Sequence, residues 1–203
     1  MSTSSESIRR AEIVDAAYAV LRERGYRRTS LLLVAKAASA SNQTMYRWFG
    51  SKEGLFAELV RVNAESAHTQ LVTALEGDDD PIMALRALAP TLLRVVLGDR
   101  AIHLNRAAAA DEAESSTLGR AIAENGRELI LPLLVELIRR AHAERVIDAP
   151  DPTSAAECYV ALLIGDLQIR RAIGAIAELT DEEASGRSRS AVDSFLRLYP
   201  LPG

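Results

Sequence analysis

Cysteine is almost missing from this chain, with Cys158 standing alone among 203 residues. One thiol closes no intrachain disulfide and builds no thiolate metal site, which excludes the disulfide-stapled secreted class. Aromatic residues make up only 4% of the chain. Six of the nine (Tyr18, Tyr26, Tyr46, Trp48, Phe49 and Phe56) precede residue 57, so any pocket farther on must be built mostly from Leu, Ile, Val and Ala. Apolar runs are short, and none approaches the ~18 residues that a membrane span requires. The opening MSTSSESIRR also lacks the apolar stretch of a signal peptide. These absences predict a cytoplasmic protein with no membrane partner. Also missing are a histidine pair at metal spacing, a glycine-rich phosphate loop after a strand and a serine elbow. No catalytic residue, metal or cofactor is therefore expected, and the chain reads as a non-enzyme.

What is present is ordinary in amount and uneven in placement. The chain is 48% hydrophobic and 26% charged, proportions of a globular protein. At this length it can bury roughly 70% of its unfolded surface, enough for one large domain or two small ones. Its net charge of −4 hides a division. Residues 1–52 hold nine basic side chains (Arg9, Arg10, Arg22, Arg24, Arg27, Arg28, Lys36, Arg47, Lys52) against four acidic ones (Glu6, Glu12, Asp15, Glu23), a balance of +5. The remainder then carries −9. Such a division suggests a basic module that faces a polyanion, joined to an acidic module with another task.

Apolar residues recur at three- and four-residue spacings, so the fold is expected to be all-α. Val14, Ala17, Tyr18 and Leu21 stripe a helix from about 7 to 24, which Gly25 ends. Ser30 opens a short helix to about 38, and Ser41 caps a second that ends near Trp48. Ser51 opens a longer one, with Leu55, Leu59 and Val62 on its apolar side, that runs towards Leu75. Breaks at 77–81, 98–100, 148–152 and 180–190 leave helices near 81–97, 100–113, 116–143, 152–177 and 188–198, with Pro132 kinking or opening the third of these. This makes about nine helices. The 180–190 segment reads as a charged loop.

Two short helices after a longer one, in a basic segment, have the arrangement of a helix-turn-helix reader. The residue order is more specific: Thr29-Ser30, Val34-Ala35, Ser41-Asn42-Gln43-Thr44-Met45-Tyr46-Arg47-Trp48-Phe49, then Ser51-Lys52-Glu53-Gly54-Leu55. Over about residues 10–60 it resembles the tetracycline-repressor (TetR) family of transcriptional regulators. Two departures stand out. Ser39 occupies the turn where the family usually has glycine, and a left-handed turn there costs serine roughly 1 to 3 kcal/mol. Gln43 stands where the family often has a small residue, which suggests a base preference of its own. Gln43 can pair bidentately with adenine and Arg47 with guanine. The resemblance implies that Thr29, Ser30, Ser41, Asn42, Gln43, Thr44, Tyr46, Arg47 and Lys52 form the DNA-binding surface, with Thr44, Tyr46 and Lys52 on phosphate. Met45 and Phe49 read as packing residues.

Farther on, LLRVVLGDRAIHLNRAAAA and the ending AVDSFLRLYP resemble the AefR-type carboxy-terminal domain of the same family. The resemblance implies residues 1–52 as the DNA-binding domain and 53–203 as a helical domain that dimerises and encloses a ligand. Polar groups interrupting apolar faces are the pocket candidates: His68, His103, Asn105, Arg106, Asn125, Glu136, Tyr159 and Asp166. Asp166, inside ALLIGDLQI, is the most conspicuous, since an acid in an apolar helix needs a partner such as Arg170 or Arg171. It could equally sit at a dimer seam, where Gly165 would let two helices approach closely. Val192, Phe195, Leu196 and Tyr199 form one apolar stripe, expected to join the helices near 152–177 and 188–198 into a dimer seam. The implied function is that of a homodimeric repressor on a palindromic operator, released by a small lipophilic or amphipathic effector. The alternatives are an all-helical, transferase-like enzyme and a helical adaptor without DNA binding. The enzyme lacks the motifs named above, and the adaptor does not explain why positive charge gathers around one pair of short helices.

Overall fold

Serine and threonine hydroxyls mark where several of the helices begin. The structure, a computed structural model, describes residues 2–111 and 116–200, and among these every regular element is helical. The chain divides into two compact units: Met1–Asn63 with His103–Gly126, and Ala64–Ile102 with Arg127–Gly203. The first unit extends beyond 1–52, because α4 and α6 each contribute residues to both units.

The first unit begins with α1 (Ser2–Arg28), whose helical geometry is interrupted where expected, at Gly25 (φ 72, ψ 169). The Thr29 hydroxyl donates to the Gly25 carbonyl at 2.8 Å and fixes the corner that follows. Ser30 then caps α2 (Leu31–Ala37), accepting from the Leu33 amide, and Ser41 caps α3 (Asn42–Phe49), accepting from the Thr44 amide at 3.0 Å. Each cap satisfies an amide that the helix leaves free, a contribution of about 1 kcal/mol. Ser51 does the same for α4 (Lys52–Glu76) by accepting from the Gly54 amide. Ile13, Val14, Ala17 and Leu21 of α1 share one core with Val34 of α2, Met45 and Phe49 of α3 and Leu55, Phe56 and Leu59 of α4. The Tyr26 and Phe56 rings meet edge to face at 4.7 Å there.

The second unit is built from α5 (Pro81–Leu97), α8 (Glu128–Ala143), α9 (Pro152–Ile164) and α11 (Asp181–Leu198). The short α10 (Leu167–Ala172) lies between the last two in sequence. Its core is aliphatic around one aromatic pair, Tyr159 and Phe195, at 5.5 Å and 90°. The Tyr159 hydroxyl donates to the Leu85 carbonyl at 2.6 Å, so the single polar atom of that pair is satisfied.

Several boundaries differ from the sequence expectations. The helix expected over 100–113 is α6 (Asp99–Asp111), and its expected end lies among 112–115, outside the described residues. The 116–143 helix opens before Pro132. It comprises α7 (Thr117–Ile122), a π turn (Ala123–Arg127) and α8, which runs straight through the proline. The amide that Pro132 lacks would have bonded the carbonyl of Glu128, the residue at which the π turn gives way to α8. The 152–177 helix is broken at Gly165 (φ 51, ψ −130), a conformation open mainly to glycine. Arg187 locks the break by donating to the Leu162 and Leu163 carbonyls at 2.6 and 2.8 Å. The 180–190 segment is not a loop but the start of α11. Thr180 and Glu183 form a reciprocal capping box, and Asp181, Glu182 and Glu183 place negative charge on the positive end of the helix.

Candidate nucleic-acid interface

In α3 the sidedness follows from sequence spacing. Met45 and Phe49, four apart, are buried, while Asn42, Gln43, Tyr46 and Arg47 are exposed and Thr44 is half-buried. Tyr46 is 55% exposed, so its ring lies outward on the surface of the helix. Ser41, also exposed, bonds the Thr44 hydroxyl at 2.9 Å as well as its amide, which squares the amino end of the helix to its cap. The outward row thus presents an amide pair, a phenol and a guanidinium, groups that donate to base edges and phosphate oxygens.

Ser30 and Lys52 are half-buried, and Thr29 is placed differently. At 2% exposure, with its hydroxyl committed to Gly25, Thr29 shapes the corner instead of facing outward. The Lys52 ammonium stands 3.8 Å over the Tyr26 ring and 3.5 Å from the Arg27 carbonyl oxygen. Partial burial lowers its pKa, against the opposing pull of Asp111 and Glu53. Its contacts place it at the end of α1, where Arg24, Arg27 and Arg28 line a cleft of about 500 Å³ together with Ala107, Ala110 and Asp111.

The turn between α2 and α3 passes through Ser39 at φ 50, the left-handed position that the missing glycine would have filled. Two residues that the sequence reading did not single out hold this region. Arg9 donates to the carbonyls of Ala38 and Ser39, both at 2.7 Å, and pairs with Glu12. Arg10 donates to Glu58 at 3.0 Å, with its guanidinium carbon 5.9 Å from the Trp48 ring centre and 5.5 Å from that of Phe49. Arg61 forks onto the same carboxylate at 2.8 and 3.0 Å. Its hydrogen bonds hold the Glu58 carboxyl below the usual range against the desolvation that raises it, and Arg10 adds to the lowering. The consecutive arginines were the available sequence signal; their partners, up to 48 residues away, were not.

The eight pocket candidates fall in both units, His103, Asn105, Arg106 and Asn125 in the first and His68, Glu136, Tyr159 and Asp166 in the second. Tyr159 is a core residue, and burial alone pushes its phenol upward in pKa. Glu136 is exposed and paired with Arg139, and Asn125 donates to the Ala121 carbonyl one helical turn back. His68, His103 and Asn105 are half-buried, and Arg106 is exposed. Asp166 does not lie in an apolar helix. It follows the break at Gly165, is exposed, and has Arg170 at 3.9 Å. Gly165 is likewise the end of α9, and the Arg187 guanidinium lies 2.9 Å from where a β-carbon there would stand. A cleft of about 230 Å³ in the second unit is lined by Gln70, Thr73, Asp79 and aliphatic groups, and by none of these eight.

A capped helix with a polar outward row, behind a short helix and a tight turn, has the arrangement of a helix-turn-helix protein. The family is then shown by comparison: residues 13–59 match the family model "Bacterial regulatory proteins, tetR family", and residues 83–200 match "AefR-like transcriptional repressor, C-terminal domain". The chain belongs to the TetR family of transcriptional regulators. Among solved structures, it is 28% identical to a TetR-family regulator from Agrobacterium tumefaciens (TM-score 0.73, covering 94% of this chain and 94% of that one). It is 28% identical to one from Pseudomonas syringae pv. tomato str. DC3000 (TM-score 0.69, 96% and 98%). It is 27% identical to the flavonoid-responsive regulator FrrA (TM-score 0.69, 97% and 100%). A search of curated proteins finds no match. Regulators of this family bind DNA and small-molecule effectors. Among the described residues no single helix is long and apolar enough to cross a membrane.

Proposed function

We propose that this regulator is a repressor that binds a palindromic operator as a homodimer and is released by a small lipophilic or amphipathic effector. The observation that carries the reading is the outward row of α3, with Asn42, Gln43, Tyr46 and Arg47 exposed on a helix anchored by Met45 and Phe49. Gln43 and Arg47 read base edges, preferring adenine and guanine. Ser30, Ser41, Thr44, Tyr46 and Lys52 hold phosphate, and Thr29 keeps their scaffold in register. Residues 1–52 carry the DNA function, and the remainder carries the effector and dimer functions.

Two reading helices must stand about one DNA turn apart, ~34 Å, which requires a fixed dimer interface. The helices α9 to α11 supply it through the faces they do not use on their own core. The aliphatic interior of the second unit favours an apolar effector, and the name of FrrA, a flavonoid-responsive relative, is in keeping with one. The effector acts by binding more tightly to the form whose reading helices are wrongly spaced, and shifts the balance only by that difference in affinity.

Selection of bound duplexes from a random pool, with and without lipophilic small molecules, tests this reading. A defined palindrome is expected, with affinity falling steeply as salt rises. On that palindrome Arg47→Ala should relax preference at particular base pairs by about 1 to 3 kcal/mol, whereas Lys52→Ala should weaken all sequences alike. A flat salt response, or the same loss from both variants on palindrome and random DNA, would overturn it.

A further inference from the structure

We propose that Arg9 and Arg10 are positioning residues that set the angle at which α3 meets DNA, with Arg10 tying the far end of α3 to Glu58 of α4. The proposal rests on the DNA-reading function above and deepens it, since neither arginine belongs to the outward row. Neighbours in sequence, they act at opposite ends of the reading helix. Arg9 bonds both carbonyls of the turn that leads into α3, Ala38 and Ser39 at 2.7 Å. A turn held at φ 50 by a serine has a backbone preference against it, and two charge-assisted hydrogen bonds oppose that preference.

Arg10 acts at the carboxy end. Its planar guanidinium has two kinds of partner, the Glu58 carboxylate at 3.0 Å and the rings of Trp48 and Phe49 at 5.9 and 5.5 Å. Glu58 is well placed to fix it. Its side chain is only 10% exposed, and the second fork, from Arg61, leaves the carboxylate little freedom to turn. A guanidinium can stack and bond in plane at once, which an ammonium cannot. Glu58 lies in α4, whose residues 52–63 belong to the first unit and 64–76 to the second. Any rotation of α4 about its axis would therefore move Glu58, then Arg10, then the aromatic end of α3. Specificity depends on this angle because bidentate base contacts fail with small displacements, whereas phosphate attraction tolerates them.

Trp48 is the one tryptophan of the chain, so its emission reports the Arg10 contact without any DNA. The experiment compares the full-length protein with Arg10→Ala, Glu58→Gln and, as a control for loss of one positive charge, Arg22→Ala on the exposed side of α1. It measures acrylamide quenching of Trp48 and, at one fixed salt concentration, affinity for the wild-type-selected duplex and for random duplex. Arg10→Ala and Glu58→Gln should both raise quenching and weaken the selected duplex about tenfold, while random duplex changes by less than about threefold. Arg22→Ala should leave quenching and the ratio of the two affinities unchanged. Unchanged quenching in Arg10→Ala, or equal losses on the two duplexes in the volume-preserving Glu58→Gln, overturns the proposal. If the wild-type protein selects no duplex, the repressor reading fails, and the quenching comparison still decides whether Glu58 holds Arg10 on Trp48.

Discussion

Ser39 holds a left-handed backbone, φ 50, in a turn where glycine would carry no steric penalty. The strain is tolerated because neighbouring bonds over-determine the turn: the Ala40 amide donates to the Ala35 carbonyl at 2.8 Å, and Arg9 grips the carbonyls of residues 38 and 39. Glycine at this site relieves the side-chain clash but enlarges the unfolded ensemble, and the first effect is the larger in the left-handed region. Ser39→Gly should therefore stabilise the protein by about 1 kcal/mol, which denaturant titration would show as a higher midpoint at unchanged slope. A lower midpoint would mean that the serine side chain contributes something the turn geometry does not account for.

The stripe on α11 belongs to a different partner from the one its spacing suggested. Val192 and Phe195 are 1% and 0% exposed within a single chain, packed in the core with α5 and α9 residues, and the Phe195 ring meets that of Tyr159 edge to face and that of Tyr199 at a tilt. A three- and four-residue rhythm states that a helix has an apolar face, and it says nothing about whether that face meets its own core or a second copy. Phe195→Asp should consequently unfold the second unit instead of releasing a folded monomer. Loss of the ring and burial of an unpaired carboxylate together amount to at least about 3 to 5 kcal/mol. Circular dichroism and sedimentation of the same sample check this; a fully helical monomer would return the stripe to the dimer seam. The faces left for a seam include exposed Ile169 on α10, Ile173 just beyond its end, and Leu198 on α11.

Across the whole molecule, each unit has a buried phenol, Tyr26 in the first and Tyr159 in the second. Burial, aided by the charges of Glu53 and Asp111, pushes Tyr26 from 10.0 to about 12, and burial alone raises Tyr159. A raised phenol pKa means that the folded state favours the neutral form. The stabilisation is then complete below the unfolded value of 10.0 and is lost as pH rises from there through about 12. Stability should decline over that alkaline window, and phenolate absorbance should lag behind that of free tyrosine until unfolding releases it. Tyr26→Phe should reduce the alkaline loss. A variant as alkali-sensitive as wild type would remove Tyr26 as a cause.

Much of the fold and of the outward row of α3 could be read from the sequence, because both depend on local chemistry. Caps at Ser30, Ser41 and Ser51, the stop at Gly25 and the spacing of Met45 and Phe49 act over three or four residues, so side-chain type and interval suffice to place α1 to α4 and to name the outward row of α3. The Thr180–Glu183 capping box was equally local, but the charged residues around it read as a loop. What the tertiary structure decided lies at longer range. The break at Gly165 persists because Arg187, some two dozen positions on, bonds the carbonyls before it. Asp166 is consequently exposed, and Phe195 turns inward because Tyr159 offers it an edge. The attachment of Arg10 to Glu58 and Trp48 likewise forms only once α1, α3 and α4 have packed. Such pairings carry no periodic signal, since nothing in the residues between them has to match, and they appear only when the hydrophobic core has brought the elements together.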